Sequence, residues 1–302
     1  MLNSQCLSRW GVIGVEGADA VGFLHAQLSN DIASLSENQL RLAGLCTAKG
    51  RLLGVFFVLR KADSVMLVCR KDTIAGLVKR LGMFVLRSQC KVSDWSAHYA
   101  VHYIAHCTHT DPMQVVWPTP TEAHASLRAW NQQLPGFFIS PRGDTPSNPE
   151  ADTAFELALF HLGIPYIEQQ AVELFIPQAV NFDLLGGISF SKGCYPGQEV
   201  VARSHYLGKV KRRTFKALAT TGPALAVGGD VWQTGKENEP VGQVVTCVAH
   251  QGTQYVLLEL PIEAVETEGA AFLCKTESGN VQLSVHAPPY DTHQKGNQFE
   301  AS

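Results

Sequence analysis

Hydrophobic and polar positions change rhythm several times along the chain. Trp10–Gly17 ("WGVIGVEG") alternate in the manner of a strand, and residues 18–35 ("ADAVGFLHAQLSNDIASL") place Ala18, Val21, Leu24 and Leu28 near helical spacing. "RLAGLCTAKGRLLGVFFVLRK" reads as two strands joined by a turn at Lys49-Gly50, and "SVMLVCR" (64–70) pairs with the second arm. A helix is expected over 72–87, with Asp72 as N-cap and Ile74, Leu77, Val78 and Leu81 on one face. Residues 91–150 are less regular: one strand at 99–105, many prolines, and a linker composition at 140–150 ("SPRGDTPSNPE").

A helix is expected at 151–165, with Gly163 ending it and Pro165 behind. From Ile176 to Arg203 the reading is loop, a short strand "GGISF" and a helix opening near Pro196. After Leu207 strands are expected at 210–218, 229–233, 241–249, 254–260, 271–275 and 280–285, separated by turn residues, which predicts a small antiparallel barrel. The polar end, 291–302, reads as a flexible tail.

Composition adds exclusions. With 45% hydrophobic and 17% charged residues and a net charge of −3, the 302-residue chain has no global basic field for nucleic acid. It is long enough for two or three compact units. The eight cysteines include no C-x-x-C, against a zinc site, a thioredoxin-like motif or a disulfide framework, so no metal site is expected. Without a signal-peptide pattern or an apolar run of spanning length, the expected setting is cytoplasmic, with no membrane partner, and the expected assembly is a monomer.

The chemistry concentrates in residues 191–199, "SKGCYPGQE". Gly193 is expected to supply a backbone shape closed to other residues and to let a ligand approach. Pro196 suits a first helical turn, and Glu199 and Arg203 meet on one helical face. Cys194 then falls at or just before a helix N-terminus with Lys192 close by; both features favour the thiolate, and the same end suits an anion. A tight turn with Cys194 as small buried filler satisfies the residue types equally well.

The stretch 173–203 ("ELFIPQAVNFDLLGGISFSKGCYPGQEVVAR") resembles the signature of the YgfZ family, folate-binding proteins related to aminomethyltransferases and to an iron–sulfur assembly factor. Its pattern K-G-C-[YF]-x-G-Q-E-x-x-x-R falls on Lys192, Gly193, Cys194, Tyr195, Gly197, Gln198, Glu199 and Arg203. "VEGADAVGFLHAQLSNDI" and "TAKGRLLG" are similar to two further family segments.

The resemblance implies an α+β, three-domain aminomethyltransferase-like fold around a central folate opening. Residues 1–45 and 150–208 would form a discontinuous folate-binding domain, 46–149 an inserted α+β domain, and 209–290 the C-terminal antiparallel β-barrel. Its implied cofactor is tetrahydrofolate or a folate derivative. Trp10 would lie against the pterin, and Phe155 stands where the family carries a second tryptophan. Tyr195 and Arg203 would contact the cofactor, and Cys194 and Lys192 would carry the chemistry. Gln178 and Asn181 either read pterin edges or bond the loop's own backbone.

The basic run Lys209, Lys211, Arg212 and Arg213, with Lys49 and Arg51, would contact a glutamate tail or RNA phosphates, or form a solvated edge. The implied function is support of iron–sulfur enzymes, including tRNA-modifying ones, with those enzymes or assembly proteins as partners and direct tRNA contact a further option. The alternatives are a folate-dependent aminomethyltransferase and a non-catalytic folate-sensing scaffold. Aminomethyltransferases carry D-F-I-G-[RK] at the motif, without the cysteine, and no side chain here is an obvious general acid or base.

Overall fold

The computed structural model describes residues 5–105, 113–119, 122–127, 135–143, 146–206, 208, 210–220, 222–236 and 238–294. Leu207, Lys209 and the end of the expected tail (295–302), named above, lie outside them, as does one of the eight cysteines, Cys107.

The chain opens with β1 (Gln5–Cys6), β2 (Trp10–Glu16), α1 (Ala20–Gln27), β3 (Arg41–Cys46), β4 (Leu52–Lys61), β5 (Ser64–Arg70), α2 (Ile74–Val85) and β6 (Lys91–Asp94). The first sheet is antiparallel in the order β3-β4-β5-β2-β6. Strand periodicity sends neighbouring residues to opposite faces. Ile13, Val15, Phe56 and Val58 pack under α1 and α2. Trp10, Val12, Phe57 and Leu59 face the other way. The division expected at residue 45 therefore falls inside a sheet, because β3 and β4 pair across it.

β7 (Tyr99–Ile104), β8 (Val115–Thr119), β9 (Glu122–Ser126) and β10 (Gly136–Pro141) join β1 in a second sheet, ordered β1-β7-β10-β9-β8. α3 (Pro149–Leu162) packs between the sheets through Ala151, Phe155 and Leu159. It starts two residues before the expected point because Asn148 caps it, accepting from Glu150 N at 2.9 Å, with Pro149 at the first helical position. Gly163 closes it in the left-handed conformation, as expected.

α4 (Gln198–Tyr206) precedes the closed barrel of β11 (Arg212–Ala219), β12 (Asp230–Gln233), β13 (Gly242–His250), β14 (Thr253–Pro261), β15 (Phe272–Thr276) and β16 (Gly279–His286). A one-turn helix, α5 (Ile262–Glu266), follows β14. All six expected strands are present.

Two local expectations fail at one place. α1 stops at Gln27 instead of running to 35, and "GGISF" is loop rather than strand. Buried Ser29 donates to Gly187 O at 2.6 Å and accepts from Gly44 N at 2.8 Å. Asn30 donates to Leu42 O and Gly186 O, each at 2.7 Å. These side chains satisfy buried backbone groups of two distant segments, which favours an extended path over continued helix. The expected flexible tail is also tied at its start. Tyr290 Oη donates to Gly163 O at 2.7 Å, and Gln294 O accepts from Arg213.

Candidate functional site

The loop of residues 186–197 lies over the α1–β3 connection. Ser189 N donates to Ser29 O at 3.0 Å, and Lys192 N donates to Ser189 Oγ at 3.3 Å. On its far side the loop meets the β3–β4 turn. Gly197 has φ +83, and a Cβ there would lie 2.4 Å from Thr47 O and 2.8 Å from Gly50 Cα. The Lys49-Gly50-Arg51 turn and the start of α4 are thus interlocked glycine against glycine. Gln178 Nε2 donates to Val201 O at 2.6 Å and fixes the helix behind them.

Gly197, not Gly193, is where glycine is required. Gly193 has no positive φ, and a Cβ there would meet nothing within 4 Å. Gly197→Ala is expected to cost roughly 2–4 kcal/mol, combining left-handed strain with backbone overlap. Gly193→Ala should stay within about 0.5 kcal/mol. Urea unfolding of both variants checks the contrast; equal midpoints would show that the interlock carries no strain.

Cys194 is exposed on this turn, whereas the other described cysteines are buried or half-buried. α4 begins four residues later, at Gln198, so Cys194 precedes the helix and Pro196 lies before the first turn that it was expected to occupy. Lys192 points inward and is only 8% exposed. Its Nζ donates to Leu28 O at 3.2 Å and Gly193 O at 3.3 Å, and sits 4.7 Å from the Tyr195 ring centre. Burial lowers its pKa to about 8, with Asp31 and Cys194 opposing. Tyr195 is buried beneath it, and burial raises its phenol well above the ordinary range. Arg203 is exposed and pairs with Glu199 at 3.2 Å, as the spacing predicts.

The remaining expected site residues lie elsewhere or are engaged by the protein. Trp10 and Phe155 touch edge to face at 4.9 Å between ring centres, but both are buried rather than forming an open stacking surface. Phe57 and Tyr166 also pack on Trp10. Asn181 donates to Thr214 O at 2.7 Å and Tyr290 Oη at 3.2 Å, and accepts from Thr214 N. Its side chain and that of Gln178 hold the loop to the barrel and to α4, so these two are positioning residues rather than exposed readers of a ligand.

The structure adds groups the sequence reading missed. Beside Trp10, Arg70 pairs with Glu156, and its guanidinium carbon lies 5.4 Å from the Tyr166 ring centre. Arg9 also reaches Glu156, at 3.0 Å. Burial pushes Glu156 up to about 7 against the two guanidiniums. Trp10 Nε1 and the Tyr166 hydroxyl are buried with no hydrogen-bond partner among the described residues. Glu156 was findable: it sits one turn after Asp152 on the helix face that also carries Ala151, Phe155 and Leu159. Among the described residues no group of three or more His, Cys, Asp or Glu could hold a metal ion. No described helix is long and apolar enough to cross a membrane.

The chain is 33% identical over 231 residues to the tRNA-modifying protein YgfZ of Edwardsiella ictaluri, covering 69% of each. It belongs to the YgfZ family. The YgfZ protein of Yersinia pseudotuberculosis is 27% identical over 269 residues, 83% of this chain and 82% of that one. No family model matches the chain. In structure it resembles the glycine cleavage system aminomethyltransferase T of Bartonella henselae, with a TM-score of 0.70 over 97% of this chain and 87% of that one. At 16% identity that likeness establishes the aminomethyltransferase-like fold. The YgfZ match spans most of the chain and agrees with the motif reading of residues 192–203.

Proposed function

We propose that the chain is a folate-binding factor that supports tRNA modification by iron–sulfur enzymes, with Cys194 as its functional thiol. The observation that carries this reading is the exposed thiol on a turn clamped from both sides, by Ser29 and Asn30 below and by the Gly50–Gly197 interlock above. A structural cysteine has no need of exposure, and a clamped turn limits the motion of a group that must meet a partner. The name of the relatives supports the tRNA part of the reading.

The residues beside Trp10 fit a flat, polar-edged ring. Trp10, Phe155 and Tyr166 offer aromatic surface. The indole N–H and the phenol O–H are buried donors with no acceptor among the described residues, each costing about 1–3 kcal/mol. A pterin edge carries the acceptors that would repay that cost, and the rings must part to admit it. Phe155 contributes one donor fewer than the family's tryptophan. Arg70, held by Glu156, braces Tyr166 from behind. A bound reduced folate supplies a carrier for a one-carbon unit. The protein's own share is to hold the ring, exclude water from it and keep Lys192 desolvated next to the exposed thiol.

Adding tetrahydrofolate should quench part of the tryptophan fluorescence saturably, and Trp10→Phe should abolish that quench while changing the unfolding free energy by less than about 2 kcal/mol. A quench unchanged in Trp10→Phe would make Trp10 a core residue only. No saturable binding would remove folate from the account.

A further inference from the structure

Tyr206, the last residue of α4, is 62% exposed. Its ring presents an open π-face on which a planar base can stack. The ring is firmly based: Phe190 and His205 stack at 3.7 Å with 19° between planes, and Tyr206 stands edge-on to His205 at 4.8 Å and 85°. Phe190 lies four residues before Cys194, so this aromatic group and the exposed thiol share one loop-and-helix unit.

Cations line the grooves beside α4. A groove of about 510 Å³ separates the α4 region from the barrel, with Arg51, Ser204, Lys211 and Arg212 in its lining. A second cavity of about 790 Å³ includes His205, Gly208 and Lys211, so Lys211 stands on the ridge between the two. Lys49, Arg51 and Lys211 are exposed, and none makes an ion pair with a described residue. Carboxylates are present, but several are occupied. Glu199 pairs with Arg203, Glu259 with Arg212, and Glu266 with His293. Asp230 lines the barrel side of the groove, and Glu263 lines the second cavity.

We infer that this face binds single-stranded RNA, with an unpaired base on Tyr206 and the flanking phosphates along Lys211, Arg51 and Lys49, leading the strand toward the Cys194 turn. A protruding, braced ring suits a splayed-out base, whereas a stacked duplex hides its base faces. Interleaved cations suit the phosphates between such bases. An apolar peptide would find little to bury beside the lone ring. In a chain of net charge −3, attraction must come from this local face and not from the whole surface.

This inference rests on the tRNA-modification reading, and its test is read separately from folate. Fluorescence anisotropy with a 5′-labelled, mixed-sequence 12-nucleotide RNA should show binding whose log–log salt slope is about −2, the value for three phosphates on a single strand. Tyr206→Ala should weaken binding about tenfold with little change in slope. Lys211→Gln should flatten the slope by about 0.7. Lys91→Gln, on edge strand β6, should change neither. All three substituted side chains are exposed, and circular dichroism checks that the variants fold. RNA binding absent at 50 mM salt, or unaltered in both variants, overturns the inference. So does pentaglutamate displacing the RNA at equal charge concentration, which would assign the cations to an anionic folate tail. Folate quenching that persists without RNA binding overturns this inference alone. RNA binding without folate quenching overturns only the folate reading.

Discussion

Replacing Arg213 by methionine is expected to destabilise the protein by about 3–5 kcal/mol. Arg213 is 1% exposed, although its sequence neighbours Lys211 and Arg212 reach solvent. Its guanidinium grips both carboxylate oxygens of Asp183, which is also buried, and donates to Gln178 O at 3.0 Å and Gln294 O at 3.4 Å. One side chain thereby joins the barrel strand β11, the loop before the motif and the start of the C-terminal tail. Methionine fills much of the same volume but leaves Asp183 charged, buried and alone, and that unpaired charge supplies most of the cost. The double variant Arg213→Met, Asp183→Leu removes both charges and should recover most of the loss. Urea unfolding of the four proteins in this cycle measures the coupling. A double variant as unstable as the single one would show that the ion pair is not what joins the barrel to the motif loop.

Arg213 also shows where the sequence stops being informative. The run from Lys209 to Arg213 reads as one charged edge, yet alternation along β11 turns Arg213 inward at the point where the barrel meets the motif loop. The barrel itself was legible almost residue by residue. β13 was expected at 241–249 and runs Gly242–His250; β16 was expected at 280–285 and runs Gly279–His286. The barrel strands are short apolar-rich runs separated by turn residues, so local pattern suffices. α3 was legible for the same reason, with Gly163 marking its end.

The site was legible as a motif but not as an environment. Ser29 and Asn30 look like helix interior in the sequence; their partners, Gly186 and Gly187, lie more than 150 residues away. Asn181 looks like an open polar group on a loop, but Thr214, 33 residues later, takes both ends of its amide. Gly193 and Gly197 are equivalent by composition, and the left-handed backbone of Gly197 and its close approach to Thr47 and Gly50 separate them. Trp10 has the alternation of a strand residue, which describes its backbone correctly and says nothing of the ring packed against Phe155 and Tyr166. In each case the deciding partner comes from a distant segment, and no local periodicity carries that information.

The second large effect is functional. Cys194→Ser changes one exposed atom on a turn whose clamps do not involve the thiol, so stability should move by less than about 0.5 kcal/mol. A hydroxyl cannot replace a thiol in exchange or in holding a sulfur or carbon species, because it does not ionise in the working range. The variant should therefore keep folding and folate binding and lose the supported activity. Lys192→Met serves as a comparison: it removes a buried amine held by Leu28 O and Gly193 O and should alter the turn as well as the chemistry.

The most direct measurement is complementation. In a bacterial strain lacking its own YgfZ protein, the level of methylthio-modified tRNA is measured after expressing this chain or its Cys194→Ser variant at matched abundance. The account predicts that the natural chain restores the modification and that the variant leaves it at least tenfold lower while still quenching with tetrahydrofolate. Restoration by the variant to the level of the natural chain would contradict a functional role for Cys194.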